Sequence, residues 1–239
     1  MSAHPDDRVV GVDLGTMSDF TAAVILDVHR EADTGFSLRV VYSRRLRGLP
    51  WPGIVDELAA MSSWPALYGA SWGVDATGVG RPVVDLLRQR IPDLTAVTIT
   101  GGLDTVQAGP RELHTPKADL ISNLQVLVQT GRLTVDLDVK DAKAIRSELL
   151  SFMGDMTATG RLTSGAAGGA HDDLVLALAI GAWVVTREQT NGAAAWSHYL
   201  RRMTVAPGPP ARPTEPGTDA DRRAAARNAA FRAQYTEGI

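Results

Sequence analysis

Residues 9–15 read VVGVDLG, from Val9 to Gly15, a short apolar run that closes on an acid and a glycine. That is the pattern of a buried strand, and it delivers Asp13 at the strand's C-terminal end. Two β-rich runs follow, TAAVILDVH (Thr21 to His29) and FSLRVVYSRRL (Phe36 to Leu46), separated by the turn-like EADTG. Together with the first strand they predict an antiparallel meander. WPGIVDELAAM has helical spacing, with Pro52 near its start. ASWGVD then reads as a second buried strand, again ending in an acid, Asp75. After it, ATGVGRPVVDLLRQR is a Gly-rich turn leading into an amphipathic helix, and LTAVTIT (Leu94 to Thr100) is a further strand.

Beyond Thr100 the pattern loosens. GGLDTVQAGPRELHT reads as an extended loop or a hairpin. TPKADLISNLQVLVQTG predicts a helix with Pro116 at its first position and Gly131 just past its end. RLTVDL is a short strand and DAKAIRSELLSFM another helix. The turn-rich RLTSGAAGGA leads to HDDLVLALAIGAWVVTRE, a helix so apolar that it is expected to be buried. After Met203, VAPGPPARPTEPG is a Pro-rich linker, and DADRRAAARNAAFRAQY predicts a short basic helix. The chain therefore divides into one domain, 1–204, and a tail, 205–239.

Composition narrows the class. The chain has 239 residues, 44% hydrophobic and 21% charged, an ordinary globular balance. With no cysteine, a disulfide scaffold, a thiolate nucleophile and a Cys-based zinc site are excluded. The longest near-apolar run, Leu174 to Val185, is too short to cross a bilayer. The N-terminal MSAHPDDR lacks the basic and apolar regions of a secretory signal, so a soluble intracellular protein is expected. A net charge of −3 does not by itself announce a nucleic-acid partner. Of the 24 basic residues only Lys117, Lys140 and Lys143 are lysines.

The chemistry sits on acids. Asp13 and Asp75 terminate strands, and the pair Asp172–Asp173 opens the last apolar helix. Carboxylates converging from separate elements suit Mg²⁺ or Mn²⁺, and two such ions about 4 Å apart stabilise both the attacking and the leaving oxygen of a phosphodiester. Taken singly, each acid also fits a loop or cap role. Successive helix positions point about 100° apart, so Asp172 and Asp173 cannot both face one ion equally. Asp173 lies four residues before Ala177, on a small-residue face that includes Gly181, and is preferred; Asp172 is then a second ligand or a first-turn cap. His171 is an auxiliary candidate that could orient a water, or simply a cap. Arg44, Arg45 and Arg47 at a strand end form a candidate DNA-facing patch or a solubilising one. Asp19 reads as a turn former. Gly78 and Gly80 fit either a phosphate-binding turn or a tight strand-to-helix turn.

In order along the chain, GVDLGTMSDFTAAV, VDATGVGRPVVDLL, TPKADLISNL and HDDLVLALAIGAW resemble the nuclease domain of the large terminase subunit of tailed bacteriophages. The resemblance runs from about Val9 to about Arg187. It implies an α/β, ribonuclease H-like fold, a mixed central sheet flanked by helices. It also implies a two-metal nuclease, using Mg²⁺ or Mn²⁺, that cuts concatemeric viral DNA at the start and finish of packaging. Carried over, Asp13 is the first-strand acid, Asp75 the middle acid, and Asp172 or Asp173 the last-helix acid. Lys117 matches a lysine often seen before that helix and becomes a candidate phosphate contact. The host cytoplasm is the implied location, with double-stranded DNA, a packaging ATPase, a small terminase or a portal as partners and no membrane.

One departure stands out: no G-x-x-x-x-G-K-[ST] phosphate loop occurs, so this chain cannot drive translocation. Either the nuclease is encoded separately and partners an ATPase chain or this is an excised piece; the start Met-Ser-Ala-His and the long tail favour separate encoding, and the tail is then the expected docking element. GVDLGT also resembles the first phosphate-binding strand of actin-like ATPases, which need a second lobe and a second Gly-rich hairpin. A Holliday-junction-type resolvase uses a related acidic cluster. A non-catalytic packaging or DNA-binding subunit is the remaining alternative, and metal-induced stabilisation separates it from an enzyme.

Overall fold

The computed structural model of the chain describes residues 7–15, 19–31, 35–78, 80–159 and 172–190. The tail expected from residue 205, and His171, lie outside them. The meander is present: β1 (Asp7–Asp13), β2 (Thr21–Glu31) and β3 (Gly35–Leu46) pair antiparallel in sequence. Helix α1 (Trp51–Ser62) and a 3₁₀ turn (Pro65–Leu67) lead to β4 (Ser71–Asp75), which lies parallel beside β1. Helix α2 (Gly80–Arg88) returns to β5 (Leu94–Thr100), parallel to β4. The segment left open between loop and hairpin is a hairpin of β6 (Val106–Gly109) and β7 (Glu112–Pro116), with β7 parallel to β5. Then come α3 (Lys117–Gln129), β8 (Leu133–Val135), α4 (Ala142–Thr159) and α5 (Asp173–Thr190).

The eight strands run β6-β7-β5-β4-β1-β2-β3-β8, a mixed sheet. One core lies between the sheet and α3, α4 and α5; the other lies between the sheet and α1 and α2. Strand β1 is apolar at successive positions because both its faces are covered: Val9 enters the first core, Val10 and Val12 the second. This is the expected α/β architecture, a mixed central sheet with helices on both faces.

Among the boundaries that differ from the sequence reading, two stand out. Pro116 ends β7 in an extended conformation and caps α3, so the helix begins at Lys117. A strand end suits a residue that has no N–H to donate. Helix α4 runs on to Thr159, past the expected end at Met153.

Helix α5 is the centre of the first layer. Leu174, Val175, Ala177, Leu178, Ala179, Ile180 and Ala182 are all fully buried, each large one contributing roughly 2 kcal/mol. It lies across β1, β2 and β4. The small-residue face expected from Ala177 and Gly181 is what meets the sheet: a Cβ on Gly181 would stand 3.2 Å from the Gly11 backbone.

Candidate active site

Parallel pairing of β1 with β4 in the register Val12↔Val74 makes Asp13 and Asp75 lateral neighbours at the C-terminal edge of the sheet. Alternation along each strand turns them to the same face as Gly11 and Gly73, the face that α5 covers. Across the meander, Asp13 pairs with Ala22 and Ala22 with Arg45. One transverse row therefore reads Asp75, Asp13, Ala22, Arg45, and the N-terminus of α5 lies over it. Ala22, fully buried, keeps the middle of the row low.

Asp13 and Asp75 share a side-chain hydrogen bond. Burial, then the charges of Asp75, Asp172 and Asp173, hold the Asp13 carboxyl well above the usual carboxylate range. Burial also raises Asp75, against the pull of Thr77. The Thr77 N–H and hydroxyl both donate to Asp75 Oδ1, at 2.8 and 2.5 Å, and the Thr77 Oγ1 accepts from the Ile99 N–H at 2.9 Å. Thr77 thus ties the end of β4 to β5. The glycine after it, Gly78, has φ +60°, which supports the tight-turn reading of this loop.

The two helix acids have different surroundings. Asp173, the first residue of α5, is 6% exposed. Arg45 donates to it twice, Nε to Oδ2 at 2.7 Å and Nη2 to Oδ1 at 3.3 Å. The same guanidinium donates to Glu148 Oε1 on α4, and Glu148 Oε2 accepts the Val175 N–H in the first turn of α5 at 3.2 Å. Burial lifts Glu148 above its ordinary range in spite of Arg45. Burial works to lower the Arg45 pKa, but the hydrogen bonds it donates to Asp173 and Glu148 and the charges of those two carboxylates together raise it. Asp172 stands just outside the helix with its side chain half exposed, 3.6 Å from Lys117 Nζ, and its carbonyl accepts the Leu176 N–H.

The sequence-derived candidates thus separate. Asp13, Asp75, Asp172 and Asp173 are brought together, and Lys117 joins their edge. His171 lies outside the described residues. Asp19 sits at an exposed bend before β2. Arg44, Arg45 and Arg47, read from the sequence as either a DNA-facing or a solubilising patch, do not share one face. Adjacent strand residues face opposite sides, so Arg44 pairs with Glu57 of α1 at 2.6 Å, while Arg45 enters the acidic cluster. Arg47 lies over the Phe20 ring, 5.1 Å from its centroid. Sequence reading missed Thr77 and Glu148. Thr77 had a signal, as the hydroxyl two residues after a strand-end acid; Glu148 had none. Among the described residues, no three His, Asp or Glu side chains are drawn close enough to hold a metal ion as they stand.

The family model described as the terminase RNaseH-like domain matches residues 10–181. The terminase large subunit of Thermus virus P23-45 is 31% identical over 172 residues, 72% of this chain and 30% of that protein. The corresponding subunit of Thermus phage G20c is 30% identical over the same length. The chain thus spans under a third of the length of these relatives. Among solved structures, the large terminase nuclease from thermophilic phage G20c aligns with a TM-score of 0.48 and 25% identity, covering 73% of this chain and 80% of that one.

Proposed function

This chain belongs to the terminase RNase H-like domain family, and on that premise we propose that it is a metal-dependent endonuclease acting on double-stranded DNA during viral genome packaging. The observation that carries the reading is the Asp13–Asp75 pair at the sheet edge, under a helix start that adds two more acids.

The donor set fits hard divalent cations, Mg²⁺ or Mn²⁺: every donor is a carboxylate oxygen, and like-charge crowding around Asp13 is what a cation relieves. Asp13 and Asp75 would hold the ions together with the acids at the start of α5. When bound, two such ions supply an activated water and stabilise the departing 3′ oxygen. The protein's own part is positional. Both Thr77 donors fall on Asp75 Oδ1, which leaves Oδ2 clear of them. Lys117, whose Nζ lies 3.6 Å from Asp172 Oδ2, would meet a phosphate of the DNA. The chain carries no phosphate loop, so translocation falls to a packaging ATPase, with a small terminase or portal as further partners and the host cytoplasm as the setting. Among the described residues, no helix is long and apolar enough to cross a membrane.

The test is cleavage of supercoiled plasmid and of a four-way junction with Mn²⁺, Mg²⁺ or EDTA, beside the Asp13→Ala protein. Metal-dependent nicking and linearisation of plasmid, lost in the variant, is the expected result. Preference for the junction would instead favour a resolvase. No cutting in any metal, with wild type and variant alike, would overturn the reading.

A further inference from the structure

Helix α4 and the turn before it sort their charges by side. Acids turn inward: Asp141 accepts from Ser43 Oγ at 2.8 Å, and Glu148 accepts from Arg45 and from the Val175 N–H. Cations turn outward. Lys140, Lys143 and Arg146 are all exposed, and among the described residues no carboxylate pairs with them. A step of three residues puts Lys143 and Arg146 on one side of the helix, about 4.5 Å apart along its axis, and Lys140 stands in the turn that leads into it. The chain's net charge is −3, so a general excess of positive charge does not account for this grouping.

The cations adjoin the acidic row. Arg45 closes that row, and Arg45 and Lys140 line one cavity of about 330 Å³ beside β3, together with Ser43 and Val139. On the other flank, Lys117 follows β7. In sheet order, the acids of β4 and β1 therefore lie between a cation past β7 and three more beside β3. Side-chain cations in a line neutralise successive phosphates and read no bases, which is the chemistry of a nucleic-acid backbone. The arginines of β3 nearest the row, Arg44 and Arg45, are engaged by Glu57 and Asp173, and the cations of α4 stand outside them.

We infer that Lys140, Lys143 and Arg146 form a phosphate-binding stripe that holds one arm of a DNA duplex beside the acidic row. The stripe rests on the reading of the chain as a protein that acts on DNA, but it works without a metal ion, so it is tested apart from cleavage.

The test is binding of the full chain to a fluorescein-labelled duplex, followed by anisotropy in EDTA over a range of salt. Lys143→Gln and Arg146→Gln should each shrink the slope of log affinity against log salt by about one, and the variant with all three cations changed to Gln should bind at least about tenfold more weakly in low salt. A merely structural role would not move that slope. Asp138→Asn removes an exposed acid from the turn beside the stripe and should bind more tightly. Tm should stay within about 2 °C of wild type throughout, since exchanges at exposed positions change stability little. Arg90→Gln is the control: Arg90 pairs with Asp56 of α1, in the opposite helix layer, and its loss should leave the slope unchanged. Equal slopes in the triple variant and wild type would overturn the stripe and leave the nuclease reading to the plasmid assay. Displacement by poly-glutamate as effective as by unlabelled duplex would overturn it in favour of an acidic protein partner. A wild type that binds no duplex even in low salt would also overturn it, and metal-dependent cutting by the same preparation would show that the nuclease reading survives.

Discussion

Gly11 and Gly181 meet backbone to backbone: a Cβ on Gly11 would fall 1.9 Å from the Ala177 carbonyl oxygen and 2.7 Å from the Gly181 amide nitrogen. Backbone cannot step aside as a side chain can. Gly11→Ala should therefore cost about 3 kcal/mol, and it should lift the start of α5 away from Asp13. Gly73→Ala is the control, since its Cβ would meet mainly the side chains of Val184 and Ile180, at 2.8 and 3.0 Å. Denaturant melts should show the first variant much the less stable, and equal losses would remove the close approach as the cause.

Thr77 links Asp75 to β5 through a single hydroxyl. Thr77→Val keeps the shape but leaves the Ile99 N–H without its acceptor and Asp75 with one donor fewer. The expected cost is about 1–2 kcal/mol of stability, together with weaker plasmid cutting. Thr77→Ser should restore both. A valine variant as active as wild type would show that the hydroxyl does not orient Asp75.

Asp27, only 1% exposed, accepts from Arg8 Nε at 2.7 Å and from Arg39 Nη2 at 3.1 Å, across the register that aligns β1, β2 and β3. Asp27→Asn leaves two arginines without their anion. Because both arginines keep some contact with water, the loss should be about 2–3 kcal/mol. The Mn²⁺-induced rise in Tm should be unchanged, since Asp27 has no part in the acidic row.

Asp13, Asp75 and Glu148 are all raised by burial. In each, the folded state holds its proton to higher pH than the unfolded chain does. Their stabilising contribution is complete below the ordinary carboxylate range and fades as pH climbs through the raised values. In EDTA, Tm should fall as pH rises above the ordinary carboxylate range. Glu112 has the opposite sign: burial is outweighed by the Arg81 hydrogen bond together with the charges of Arg81 and Arg88 and the His114 hydrogen bond, so its contribution is lost only in acid. Asp13→Asn should flatten the slope and raise metal-free stability at neutral pH. A slope unchanged in the variant would mean that Asp13 is not the group responsible.

The sheet was legible because its strands are short apolar runs with acids and glycines at their ends. VVGVDLG and ASWGVD gave both strand termini that carry Asp13 and Asp75, and the bareness of α5 announced its burial. Register was not legible. Nothing in the local pattern of Ala22 or Arg45 places them in one row with Asp13, because strand pairing is a property of the assembled sheet. The partners of Arg45 were hidden for the same reason. An arginine at a strand end looks alike whether it meets solvent, DNA or a buried carboxylate, and Glu148 sits in a helix whose polar positions all resemble one another.

The row beneath α5 also sets an order of events. Its members come from β4, β1, β2 and β3, and its cover is the last described helix, bound to the first strand through Gly11 and Gly181. Closing so long a loop is slow and comes late relative to local structure. The hairpins and α1 can form while the row is still open to water, and only the docking of α5 brings the helix acids over Asp13. Any hydrolytic power of the centre thus arrives with the final step of folding: a chain halted short of it carries every acid and no site.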